Sequence, residues 1–213
     1  MDAVCFDMDG VLVDSESYWI PLEREELLPT VVPDESVEVD EITGMNYREI
    51  HSYLDETYEV AMDRESFVAR FDEAAVDIYG EQVELLDGLA DLLADLRERG
   101  VAVALVSSAP HHWIDIVRDR FDLDFDAFVS AEDVATGKPD PAIYQAAATE
   151  LDVDPADCIA VEDSTHGVAA ATAAGMTVVG FCLGDGDGGD WSDATHTAAT
   201  PAQLRETLLE LTE

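Results

Sequence analysis

FDMDGVLVDSE, residues 6–16, follows directly on Ala3, Val4 and Cys5. A short run that is apolar on both faces suits the middle of a parallel sheet, and the acids and glycine after it mark the strand's end. In open α/β sheets ligands bind beyond the carboxyl ends of the strands, which puts Asp7 and Asp9 at such a site. Residues two apart on a strand share a face, so the two carboxylates converge on one small volume. Like charges that close need a shared proton or a divalent cation. An acidic turn with Gly10 supplying backbone freedom would carry the same letters, so the rest of the chain has to decide.

With 213 residues, 47% of them hydrophobic, the chain can bury a core as one large domain or a domain with a smaller insert. Its 49 acidic residues against 10 basic ones give a formal charge of −39. Such self-repulsion costs stability in dilute buffer and is hidden in concentrated salt, so a salt-adapted host is expected. No basic stripe serves nucleic acid or anionic lipid, and no charge-free run reaches the ~18 residues of a membrane span. With Asp2, Asp7 and Asp9 at the start and no apolar signal segment, the expected location is cytoplasmic, as a monomer or weak dimer. Cys5, Cys158 and Cys182 lack metal-type spacing and read as small hydrophobes in a reducing compartment.

After Glu16 the pattern turns helical. SYWIPLEREELL, NYREIHSYLDETYEV and RESFVARFDEAAVDIYGEQV carry apolar residues at helical spacing, with Pro29 and Pro33 expected to break the first two apart. Residues 17–82 are therefore expected to be a helical insert whose ends leave and rejoin the sheet domain (1–16 and 83–213) close together, as a lid would. Leucines at 85, 86, 89, 92, 93 and 96 predict a helix over 85–100 that stops at Gly100. VAVALVSS (101–108) is a second buried strand; helices at 110–121, 140–151, 166–174 and near 201–212 then alternate with strands near 127–130, at 158–162 and at 176–181. That alternation predicts a doubly wound, Rossmann-like α/β fold with a parallel sheet covered on both faces.

All strand ends then face one edge. VAVALV delivers Ser107 and Ser108 at the mouth of a helix whose amides attract anions, although serines there also serve as caps. CIAVEDS delivers Glu162 and Asp163, with Ser164 and Gly167 opening the next helix. The chain's single lysine, Lys138, stands in the loop TGKPDP, while the nine other cations are arginines. A lysine is a compact charge suited to a phosphoryl oxygen and able to offset crowded carboxylates. Acids for a hard cation such as Mg²⁺, hydroxyls and helix amides for an anion, and one lysine describe a phosphoryl-transfer site. An aspartate can serve there as nucleophile. No GxxxxGK[ST] motif is present, which disfavours nucleotide-driven kinase chemistry.

FDMDGVLVDSE, the Ser107 strand end, GKPDP and VEDSTHG resemble, in order, the four motifs of the haloacid dehalogenase superfamily. The resemblance is to the phosphatase and β-phosphoglucomutase branch with a helical cap after the first motif. It implies Asp7 as nucleophile and Asp9 as general acid/base, with Ser107 and Lys138 holding the phosphoryl group. It also implies Mg²⁺ bound by Asp7, the carbonyl of Asp9, Glu162 and Asp163. Gly10 and Ser108 are expected beside the substrate. Dehalogenase members lack the second aspartate of motif one, so Asp9 speaks for phosphoryl transfer. EITGMNYREI (41–50) is similar to the specificity segment of sugar-phosphate members, where Arg48 would grip the substrate's far part; an i,i+4 partner on an acidic helix is the alternative. His111 and His112 open the helix after Ser107, where they touch substrate or face solvent, and GDGDGGD (184–190) reads as a surface loop in spite of its likeness to a calcium-binding repeat.

The expectation is a Mg²⁺-dependent phosphatase acting on a small phosphorylated metabolite such as a sugar phosphate, through an aspartyl-phosphate. A β-phosphoglucomutase-like phosphotransferase is the alternative, and a catalytically silent binding protein on this fold a more distant one. In the mutases a histidine some ten residues after the nucleophile position restrains the acid/base; the matching position here is Trp19, which has no basic nitrogen.

Overall fold

The computed structural model describes all residues except 43, 44, 46 and 184–190, so the glycine and aspartate run at 184–190 and part of the 41–50 segment lie outside the described residues. Strands β1 (Ala3–Phe6), β2 (Ala102–Ser107), β3 (Ala127–Ser130), β4 (Cys158–Glu162), β5 (Thr177–Gly180) and β6 (His196–Thr197) form one sheet in the order β3-β2-β1-β4-β5-β6. Every pairing is parallel. β1 is central because all four of its side chains are fully buried, which only a strand covered on both faces allows.

Alternation sorts the strand residues onto two apolar layers. Val4, Phe6, Val103, Leu105, Ile159 and Val161 face α5 (Leu89–Glu98), α6 (His111–Phe121) and α9 (Pro201–Leu211). Ala3, Cys5, Ala104, Val106, Cys158 and Ala160 face α7 (Ala142–Glu150) and α8 (Thr165–Ala174). Small residues dominate this second layer, so the alanine-rich α7 and α8 come close to the sheet. Cys5 and Cys158 are buried in it as free thiols, in keeping with the hydrophobe expected of them.

Between β1 and α5 the chain is helical: α1 (Glu16–Leu22), α2 (Leu28–Val31), α3 (Tyr47–Thr57) and α4 (Arg64–Asp77), with wide π-type turns at Glu23–Leu27 and Ile78–Gln82. The two ends of this segment meet. Asp14 N–H donates to the Glu84 carbonyl at 3.3 Å, Glu84 N–H to the Asp14 carboxylate at 2.6 Å, and Val13 bridges Leu85. That bridge holds residues 85 and 86 out of the helix predicted from 85, so α5 begins only after Gly88, which adopts φ +77°. Pro29 does not break the helix as expected. The π-type turns before it change the hydrogen-bond register, and Pro29 falls in the first turn of α2, where no amide hydrogen is needed. Among the described residues no helix is long and apolar enough to cross a membrane.

Candidate active site

β1 and β4 run in register, Phe6 beside Val161, so the next residue on each strand brings Asp7 beside Glu162. Asp7 N–H still donates to the Val161 carbonyl at 3.0 Å, which fixes its backbone at the sheet's end. Asp163 follows on β4. Carboxylate oxygens of Asp7, Glu162 and Asp163 lie within 4.8 Å of one another, all three residues buried. Two glycines make this approach possible. A Cβ on Gly10, which adopts φ +70°, would lie 1.8 Å from an Asp163 oxygen, and one on Gly167 would lie 2.0 Å from the Glu162 carboxyl. Gly10 thus clears space for Asp163 and is not part of the cavity wall.

Lys138 reaches into this group, its Nζ 2.7 Å from Asp7 and 2.6 Å from Glu162. Tyr144 on α7 donates a short hydrogen bond to the same Glu162 oxygen, and Ser164 donates to the other at 3.2 Å. Three buried carboxylates face one ammonium, so the set is short of positive charge. Burial pushes Asp7 up to about 8, with Lys138 opposing and Glu162 and Asp9 reinforcing. Burial, then Asp7 and Glu162, raise Asp163 well above the usual carboxylate range. Burial pulls Lys138 down, but Asp7 and Glu162 outweigh it and hold the ammonium above its ordinary value. A hard divalent cation fits such an all-oxygen, charge-deficient donor set.

Asp9 is held differently. Its Oδ1 accepts from Ser15 Oγ and from Tyr79 Oη, both at 2.6 Å, and Trp19 Nε1 donates to Tyr79 Oη at 3.0 Å. Burial raises its pKa, and the two donors draw it part of the way back. Tyr79 comes from the end of the helical segment, 70 residues away, and nothing in its spacing announces this contact. Tyr144 escapes sequence reading for the same reason.

A cavity opens over the cluster, with Asp7, Asp9, Ser108, Lys138 and Asp163 at its base and Trp19, Tyr47, Phe71 and Trp113 along its side. Trp19 stacks on both Phe71 (centroids 5.5 Å) and Trp113 (5.4 Å), which joins α1 and α4 to α6. Ser107 is fully buried, accepting from Ala109 N–H at 3.0 Å and adjoining Asp9, whereas Ser108 lines the cavity. Arg48 and His111 stand outside the lining. Arg48 pairs with Glu132, next to β3. His111 Nε2 is 2.8 Å from Asp133, and its N–H donates to Glu132 at 3.1 Å. His112 lies 2.9 Å from Asp72 on α4.

Residues 1–175 match the haloacid dehalogenase-like hydrolase family. Hexitol phosphatase B of Escherichia coli K12 is 36% identical over 181 residues, covering 82% of this chain and 80% of its own length. β-Phosphoglucomutase of Bacillus subtilis is 33% identical over 200 residues, covering 86% and 84%. The crystal structure of CbbY from Rhodobacter sphaeroides in complex with phosphate shares the fold, with a TM-score of 0.80 at 24% identity and 96% of each chain covered. A match over most of the chain, on a sheet whose central strand ends in the paired aspartates, is decisive: this chain belongs to the haloacid dehalogenase-like hydrolases.

Proposed function

We propose that this hydrolase removes the phosphoryl group from a small phosphorylated carbohydrate through an aspartyl-phosphate on Asp7. The observation that carries this is the division of labour between two aspartates on one strand end: Asp7 lies in the charge-deficient cluster with Lys138, and Asp9 stands apart on neutral hydrogen-bond donors. An Asp7 oxygen attacks phosphorus while the ester P–O bond breaks, and Asp9 gives the leaving oxygen a proton. Both donors to Asp9 fall on Oδ1, which leaves Oδ2 to carry that proton. Asp9 then takes a proton from the water that attacks the phosphoryl group on Asp7, releasing phosphate and restoring both residues. Lys138 and the Ser107–Ser108 turn hold the phosphoryl oxygens. Asp7, Glu162 and Asp163, with the Asp9 carbonyl, would hold Mg²⁺, which when bound supplies charge neutralisation for the transferring group. Residues 17–82 serve as the cap, closing on substrate about the paired Asp14 and Glu84. The charge of −39 is read as adaptation to concentrated salt.

Hydrolysis is favoured over mutase chemistry by Trp19. Where the mutases have a basic side chain restraining the acid/base, this chain has an indole that donates to Tyr79 and holds Asp9 in place through it. The names of the relatives, a hexitol phosphatase and a phosphoglucomutase, support a carbohydrate phosphate in either case. Phosphorus NMR of the purified protein with sugar and polyol monophosphates, Mg²⁺ and molar KCl tests this. Free phosphate should dominate. Conversion of β-glucose 1-phosphate to glucose 6-phosphate with negligible free phosphate would overturn it in favour of the mutase.

A further inference from the structure

The two ends of the cavity differ in charge and in surface. Its base holds the reacting carboxylates, Lys138 and Glu16, while a further carboxylate, Glu23, stands with the aromatic wall. Glu16 has an oxygen within 4.8 Å of one on Asp163. Glu23 is seven residues along the same helical run, roughly 10 Å from Glu16 along the helix axis at 1.5 Å per residue. It is half-buried, and its carboxylate makes no hydrogen bond or ion pair with a described residue. Burial, then the charge of Glu16, raises its pKa to about 7. On the opposite side the Tyr47 hydroxyl is buried without a hydrogen bond. Arg48 lies over the Tyr47 ring, 5.4 Å from its centroid, with its guanidinium paired to Glu132.

All ten cations of the chain are described residues, and Lys138 is the one that lines the cavity. It is committed to Asp7 and Glu162 at the base. A second phosphate reaching past the base would meet the Glu23 carboxylate with no cation in the cavity lining to offset it, Arg48 over the Tyr47 ring being paired to Glu132. Like-charge juxtaposition of that kind is a strong means of rejecting a wrong ligand. An unpaired carboxylate and an orphan hydroxyl accept and donate hydrogen bonds to alcohols, and the aromatic faces cover the carbon chain between them.

We propose that Glu23, backed by Glu16 and the Tyr47 hydroxyl, selects a substrate whose far end is an uncharged, hydroxyl-bearing chain and rejects one that carries a second phosphate. This rests on the phosphatase reading above and narrows it to polyhydroxy monophosphates.

The test compares phosphate release by the full chain, in Mg²⁺ and molar KCl, from glucitol 6-phosphate, glucitol 1,6-bisphosphate and p-nitrophenyl phosphate. For the wild type, kcat/KM should favour the monophosphate over the bisphosphate by about a hundredfold or more. Glu23→Lys should shrink that ratio by about tenfold or more, and Glu23→Gln by a smaller factor. Being a ratio within one protein, it is insensitive to any loss of folded material. A wild-type ratio near or below one, or a ratio that Glu23→Lys leaves unchanged, overturns the proposal. So does release from the nitrophenyl ester with neither polyol ester turned over. If the wild type releases phosphate from none of the three esters, the proposed function itself fails and this inference falls with it.

Discussion

Asp7 and Asp9 are the same residue type two positions apart, and the fold gives them different surroundings. Asp7 faces an ammonium and two other carboxylates, whereas Asp9 faces a hydroxyl and a phenol. Tyr79 is a positioning residue for Asp9. Its hydrogen bond favours the charged form of Asp9, so Tyr79→Phe should raise the Asp9 pKa further. In the proposed mechanism Asp9 is protonated when it acts as the acid, so the basic limb of the kcat/KM profile should move to higher pH. Because the carboxylate loses one of its two orienting donors, kcat should fall by about tenfold. An unmoved basic limb would reduce Tyr79 to a packing role. The acids and the lysine of the site were legible in the sequence because strand ends in a parallel sheet point to one edge, and a chain with one lysine advertises it. Tyr79 and Tyr144 were not, since each acts through a contact that only the folded chain creates: Tyr79 to Asp9 across 70 residues, Tyr144 to Glu162 from the first turn of α7.

At the scale of elements, the strands and helices of the sheet domain were readable from periodicity, but two features were not. β6 is two residues, His196 and Thr197, too short and polar to leave a pattern. The run through Pro29 stays helical because π-type turns shift its register, a feature that no propensity records. The helical segment 16–82 is joined to the sheet domain by the Trp19–Trp113 stack and by the Arg48–Glu132 pair. Half-exposed ion pairs contribute little to stability, about 1 kcal/mol or less. Arg48→Ala and Glu132→Gln should therefore leave the melting temperature nearly unchanged. Since either change breaks the same contact, both should raise KM for a polyol phosphate to a similar extent, and the double variant should be no worse than either alone. Glutamine at 132 can still accept the His111 N–H, so the start of α6 is not disturbed. A loss specific to Arg48→Ala would return Arg48 to direct substrate contact.

On the scale of the whole molecule, the buried cluster and the acidic surface make separate demands, and solution conditions can tell them apart. Folded Asp7 holds its proton up to about 8 while an unfolded aspartate releases it near 4, so stability from this group is full below about pH 4 and drains away as pH rises through 8. In chelator the melting temperature should fall between pH 5.5 and 8.5, less steeply for Asp7→Asn, and Mg²⁺ should flatten the wild-type slope by neutralising the ionised cluster. Equal slopes in wild type and variant would remove Asp7 as the cause. Repulsion across the acidic surface is read by salt instead. At about 0.01 M salt the Debye length is roughly 30 Å and every part of the shell repels every other; at 1 M it is roughly 3 Å. Forty-nine acids against ten bases leave few local pairs to offset this, and those present are mostly exposed arginine pairs. The melting temperature at fixed pH should therefore climb steeply from about 0.01 to 0.5 M KCl and then level off, equally in NaCl, while sucrose at matched osmolality should not reproduce the climb. A flat curve in KCl would mean that the folded chain carries its charge without needing to be screened.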